Sequence, residues 1–429
     1  MKPSYQKVTA ASLGAIPLLL GGCLFQSNSS TSSAPKQVTI LGTLTGVAEE
    51  KLEAALVPFT EATGIEVVYE GTDAFTTLIP VRVDSNNTPD IALFPQPGLM
   101  VDFIDEGHLI PLDGFIPVSQ LQQAYSDYWL DLVSRNDRPY GVWIRASIKS
   151  LVWYNPTAFA EADYAPPTSW NELETLSEQI IADGGTPWCI GMESGKATGW
   201  VGTDWVEEIL LRMSGPEVYD QWVSHKIPFD APEVKAAFET FGRLVQTQGN
   251  VFGGPTGVIS TPFGDSPRPL FEQPPGCYLH RQANFIREFF PETAIPGDTV
   301  DVFPLPPMDS GPPPILVSGI VFGMFNDTPE AKALMEYLAT PKPHKIWASL
   351  GSYISPHQQV PLTAYNDPLT RQQAEILQNA EVIRFDGSDL MPGAVGTGTF
   401  WSGVVDYVGG KPLDQVLADI EASWPAEAQ

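Results

Sequence analysis

Beyond residue 37 the chain alternates short β-branched runs with stretches whose apolar positions recur at helical spacing. Val38-Thr39-Ile40-Leu41 stops at Gly42, and apolar residues then fall at Leu52, Ala55, Leu56 and Phe59, which predicts a strand, a glycine turn and a helix. Residues 65–69 read as a second strand, 75–83 as a helix, and Ile91-Ala92-Leu93-Phe94, closed by Pro95, as a third strand. This βαβαβ order predicts an α/β fold: a parallel sheet with helices on both faces and ligand groups at the carboxyl ends of its strands.

Residues 140–144 and 150–154 are apolar runs around a short polar segment, as if an extended stretch left one lobe and entered another. Pro166-Pro167-Thr168-Ser169 then opens a helix, with Thr168 or Ser169 as N-cap and Glu172 placed for a capping box. Helical spacing recurs over 200–213, 216–225 and 232–246, whereas 249–275 is rich in Gly and Pro and predicts a long loop, of the kind usually functional or held by a cross-link. A strand at 276–279, a helix at 282–290, a strand at 300–305, a Gly-interrupted apolar run at 315–325 and helices at 331–338, 343–350 and 413–423 follow. About 390 residues exceed the size at which one core keeps growing, so two lobes are expected.

The first segment has a different pattern. Lys2 and Lys7 precede an uncharged, largely apolar run at 10–20 and then Gly21-Gly22-Cys23, the order of a signal peptide over 1–22. The run falls short of the roughly 20 apolar residues a membrane-spanning helix needs; a short anchor helix is the alternative. Small residues directly before a cysteine resemble the lipobox of bacterial lipoproteins, which implies acylation of Cys23. The polar tract that follows makes 23–37 a flexible linker. The body is then expected outside the cytoplasm, where Cys189 and Cys277 would form a disulfide; two buried thiols are the alternative.

A net charge of −28 with no basic block argues against nucleic acid and anionic lipid surfaces as partners. The five histidines lack metal-ligand spacing, and neither a Gly-x-Ser-x-Gly nor a phosphate-loop motif occurs, so no metal and no cofactor are expected.

In this order, the elements resemble the extracellular solute-binding proteins of carbohydrate ABC transporters (family 1). Pro89-Asp90-Ile91-Ala92-Leu93-Phe94 is similar to the family's third strand, residues 141–154 to its first crossing between lobes, and Val302-Phe303-Pro304-Leu305-Pro306 with 329–338 to the last crossing and the helix after it. Lys149-Ser150-Leu151-Val152-Trp153-Tyr154, Trp188-Cys189-Ile190-Gly191, Thr203-Asp204-Trp205-Val206-Glu207, His280-Arg281-Gln282 and Met391-Pro392-Gly393-Ala394-Val395-Gly396 resemble the α-glucoside-binding branch. The resemblance implies a type II-like, two-lobed periplasmic-binding-protein fold with crossing strands as hinge and the ligand cleft between lobes. It divides the chain into an N-terminal lobe of 38–146 and 281–317 and a C-terminal lobe of 147–280 and 318–429, with both cysteines in one lobe. It further implies a monomeric, non-enzymatic receptor whose partners are a small neutral glucoside (maltose, sucrose, trehalose or the compatible solute glucosylglycerol) and ABC permease subunits, with the membrane met only through the lipid.

A sugar needs flat aromatics to stack on and polar groups to bond its hydroxyls. Of the eleven tryptophans, Trp143, Trp200 and Trp401 fall near predicted cleft loops, while Trp153, Trp222 and Trp347 read as core. Glu49, Asp73 and Gln96 follow the first three strands, although Asp73 could equally cap the helix at Phe75. Arg145 and Lys149 bracket the first crossing and His280 and Arg281 the second, with salt bridging or core packing as the alternatives. Asp204 stands one helical turn after Trp200, and Gly319 and Met391 complete the candidate set. Two rival functions remain: a glycoside hydrolase, which needs two carboxylates roughly 5–10 Å apart, and the same fold carrying a peptide, polyamine or metal.

Overall fold

The computed structural model describes residues 36–308 and 311–425; the expected signal peptide, Cys23 and the linker up to residue 35 lie outside the described residues. Strands β1 (Gln37–Gly42), β2 (Glu66–Gly71) and β3 (Ile91–Phe94) run parallel with β1 in the middle, returned by helices α1 (Val47–Thr63) and α2 (Phe75–Asp84). Helix α1 stops at Gly64, whose left-handed φ of 70° lets its N–H bond the Thr60 carbonyl. Helices α3 (Pro97–Asp105), α4 (Val118–Ala124) and α5 (Asp127–Asp131) and the hairpin β4 (Ser134–Arg135), β5 (Arg138–Pro139) lead to β6 (Gly141–Ile148). Strand β6 is buried along its whole length, which is why its sequence does not alternate.

The chain then enters a second, three-stranded antiparallel sheet, in which β7 (Leu151–Tyr154) lies between β8 (Leu279–Arg281) and β9 (Asp301–Pro304). Around it pack α6 (Pro156–Glu161), α7 (Trp170–Ala182), α8 (Trp200–Val223) and α9 (Pro232–Gln246). The start of α7 has the predicted cap: Ser169 Oγ accepts from Glu172 N, and the Glu172 carboxylate accepts from Thr168 N at 2.7 Å. The two helices expected over 200–225 are one element broken at Gly215, with φ 78° and Pro216 behind it. The long loop contains the short helix α10 (Gly254–Ser260), and the helix expected over 282–290 is a 3-10 segment, Asn284–Phe289. Asn284 Oδ1 accepts from Ile148 N and ties this segment to the first crossing.

The expected lobe boundary at 317/318 falls within β10 (Ile315–Met324). This single strand carries β6 along one edge and β11 (Ile383–Phe385), then β3, along the other, so it belongs entirely to the larger sheet. Helices α11 (Pro329–Leu338) and α12 (Pro341–Leu350) bury Leu334, Leu338 and Trp347 in the same core as α1, and α13 (Pro368–Asn379) adds Leu369. Leu390 of α14 (Gly387–Leu390) still packs against this first core, whereas α15 (Trp401–Val408) and α16 (Leu413–Glu421) return to the second, with Val404, Leu417 and Ile420.

Cys189 and Cys277 are disulfide-bonded, their Cα atoms 5.6 Å apart. The bond closes the long loop beside β8, where Cys189 N donates to the Leu279 carbonyl. Among the described residues no helix is long and apolar enough to cross a membrane.

Candidate ligand-binding cleft

The carboxyl ends of β1, β2 and β3 open onto a cavity of about 630 Å³, whose opposite wall comes from the second lobe. Thr43–Thr45 after β1, Asp73 after β2 and Gln96 after β3 stand on its rim. Tyr69 fixes the first of these turns, its hydroxyl accepting from Leu44 N at 2.9 Å and donating to Leu44 O at 3.0 Å. Asp73 makes no helix cap, since α2 begins without a side-chain cap.

Aromatic rings make up much of the facing wall. Trp200 starts α8, with Phe263 edge-on at 5.3 Å and Phe285 at 6.0 Å; Phe289 packs edge-on against Phe263 at 5.1 Å. Trp401 lines the same cavity from the start of α15. The two tryptophans are locked together through Gly199, whose φ is 116° and where a Cβ would run into the Trp401 carbonyl. Glu193, Asp265 and Glu288 add carboxylates to the rim.

Buried polar groups form the floor. The Arg145 guanidinium lies 5.4 Å over the Phe285 ring, and the Lys149 ammonium 5.2 Å over Trp200. Gln96 and Asp389 complete it, with Ser318 and Gly319 of β10 alongside. Burial and the neighbouring Asp386 push the Asp389 carboxyl well above the usual carboxylate range.

Beneath the floor, one face of α8 reaches each connection between the lobes. Asp204 accepts from Lys149 Nζ at 2.7 Å and from Arg281 Nη2 at 3.2 Å. Glu207 accepts from Gly387 N at 2.7 Å and Ser388 N at 3.0 Å, and Glu208 from Ser150 Oγ at 2.7 Å. Arg212 donates to the carbonyls of Leu305, Pro306 and Pro314 at 2.9–3.0 Å. Lys149 also pairs with Asp386. Burial alone would lower the Lys149 ammonium, but Asp204 and Asp386 outweigh it and hold the group charged; burial pushes the Asp204 carboxyl up to about 7.

Seven of the residues singled out from sequence thus line the cavity: Asp73, Gln96, Arg145, Lys149, Trp200, Gly319 and Trp401. Six do not. Trp143 is core, its Nε1 donating to the Trp129 carbonyl and its ring against Trp129 and Phe385. Glu49 is half-buried and off the cavity lining. Asp204 and Arg281 are paired with each other under the floor, and His280 Nδ1 donates to the Cys189 carbonyl at 2.9 Å. Met391 is buried in the second core. Sequence reasoning missed Asp389, Phe263, Phe285 and Glu193; only Phe263 had a signal, the long Gly- and Pro-rich loop that carries it.

Two lobes joined by a hinge, with an aromatic and hydrogen-bonding cleft between them, define a solute receptor. The chain belongs to the family of bacterial extracellular solute-binding proteins, whose model matches residues 40–345. Its family is one of binding proteins rather than enzymes, and places it outside the cytoplasm. It is 58% identical to the osmoprotective compounds-binding protein GgtB of Synechocystis sp. over 91% of this chain and 93% of that one. It is 41% identical to the alpha-glucosides-binding periplasmic protein AglE of Rhizobium meliloti, over 90% of this chain and 86% of that protein. Among solved structures, a chitin oligosaccharide binding protein superposes with a TM-score of 0.76 at 17% identity, covering 90% of this chain and 98% of that chain, which bears on the fold alone.

Proposed function

We propose that this chain captures a small α-glucoside, of the maltose, sucrose, trehalose or glucosylglycerol type, and presents it to the permease of an ABC importer by closing its two lobes. The observation that carries this reading is the pairing of Trp200 and Trp401 with the polar floor of Gln96, Arg145 and Asp389 in one cavity. Apolar ring faces and hydroxyls of a sugar need both kinds of surface. The names of the two relatives, one binding osmoprotective compounds and one alpha-glucosides, support the same ligand class. The cavity's size suits a ligand of one or two sugar rings, and closure would use the ligand's contacts with both walls. Calorimetric titration with neutral glucosides tests it: binding of at least one is expected, and heat from none of them would end the reading.

The receptor acts as a monomer, held to the membrane by lipid on Cys23 with residues 23–37 as its leash. Cys23→Ala should leave the protein in the soluble fraction with its sugar affinity unchanged; continued sedimentation with membranes would remove the lipid from the scheme.

A further inference from the structure

Lys149 and Arg145 both line the floor, yet they are satisfied differently. Lys149 is neutralised by Asp204 and Asp386. Arg145 is 4% exposed, and among the described residues it forms no ion pair and its Nε and Nη2 have no hydrogen-bond partner. These two nitrogens share one edge of the guanidinium, where their parallel N–H bonds meet two oxygens at once. The Phe285 ring lies 5.4 Å from the guanidinium carbon. Beside it in the cavity lining, Gln96 Oε1 is buried and equally without a partner. Buried donors left unmade are costly, and in a cleft that cost is removed when a bound molecule supplies the acceptors.

We infer that Arg145 determines specificity by receiving a pair of adjacent acceptor oxygens from the ligand, and that this pair, more than the aromatic wall, decides which glucosides are accepted. The inference rests on the glucoside reading above. Two neighbouring ring hydroxyls present such a pair, and so does a carboxylate on the aglycone. A site built to bond ligand oxygens rejects an analogue lacking them far more strongly than an apolar wall rejects a change of shape.

The test titrates the purified full chain, as wild type, Arg145→Met and Arg145→Lys, with methyl α-glucoside, its monodeoxy analogues, α-glucosylglycerol and α-glucosylglycerate. Thermal midpoints establish that each variant is folded. Arg145→Met should weaken the best ligand by about 100-fold or more, and Arg145→Lys, which keeps the charge and loses the fork, by about 10-fold or more. In wild type either one deoxy analogue should lose a similar factor, with little further loss in Arg145→Met, or glucosylglycerate should bind tighter than glucosylglycerol, with the preference gone in Arg145→Met. The first result assigns ring hydroxyls and the second a carboxylate. Affinities within threefold of wild type in both variants overturn the inference. Should Arg145→Met not fold, the wild-type panel decides alone: no deoxy analogue weakened beyond threefold and no preference for the carboxylate overturns it. A wild type that binds no glucoside at all instead overturns the functional reading, so the two failures are distinct.

Discussion

Lys149 Nζ and Asp204 Oδ1 meet at 2.7 Å below the cleft, joining the first crossing segment to helix α8. The same ammonium pairs with Asp386, the residue after β11, so one cation balances carboxylates from two parts of the chain. Lys149→Met leaves both carboxylates buried against one cation fewer. Urea unfolding should show a loss of about 3–5 kcal/mol, and adding Asp204→Asn should recover part of it. An unchanged midpoint would mean that water already solvates this cluster.

Trp200→Ala should weaken glucoside binding about 10- to 100-fold, since it removes a stacking face worth roughly 1–3 kcal/mol. Trp401→Ala should weaken binding too and, because Trp401 is 4% exposed, should also destabilise the fold by about 3 kcal/mol. Trp143→Ala should cost stability on the same scale while its folded fraction still binds. Titration alongside thermal melting separates the three; a binding defect confined to Trp143→Ala would contradict the placement.

Burial lowers the His280 imidazole to about 4 from its ordinary 6.5. Between those values the unfolded chain binds the extra proton, so stability is full above pH 6.5 and declines as pH falls toward 4. By pH 4.5 this single group should withdraw about 2–3 kcal/mol. His280→Asn lacks that titration, so its deficit relative to wild type at pH 7 should shrink by the same amount at pH 4.5. A gap that stays constant would show that His280 takes up no proton on unfolding in this window.

Cys189 and Cys277 are 88 residues apart. On loop entropy alone, opening that bond should cost about 4–5 kcal/mol. The Cys189→Ala/Cys277→Ala double variant, compared with wild type in urea without reductant, reads this directly; equal midpoints would assign the bond no stabilising role.

The first three strands were legible because each run ends at or near a glycine or proline, and their parallel order puts Asp73 and Gln96 on the rim. Helix α8 shows where such reading stops. Trp200 and Asp204 lie on nearly the same side of the helix, but one turn carries the second about 5 Å deeper, from the open end of α8 to the ion pairs below the floor. Spacing gives the side and omits the depth. Strand β10 failed for a related reason: Gly319 and Gly323 resemble interruptions, and only its partners β6 and β3 reveal one continuous strand. Phe285 and Asp389 were out of reach because each is brought to the cleft by a crossing segment whose direction is set by distant contacts, Asn284 with Ile148 and Asp386 with Lys149.

Helix α8 grips the crossings through Asp204, Glu207, Glu208 and Arg212, whereas Thr43–Thr45, Glu193–Ala197 and Pro262–Asp265 on the rim belong to turns and loops outside that grip. Substitutions in those loops can therefore accumulate without loosening the machinery that opens and shuts. A lineage could adjust how tightly it holds its ligand by drifting at the rim, keeping the same moving parts and the same buried floor.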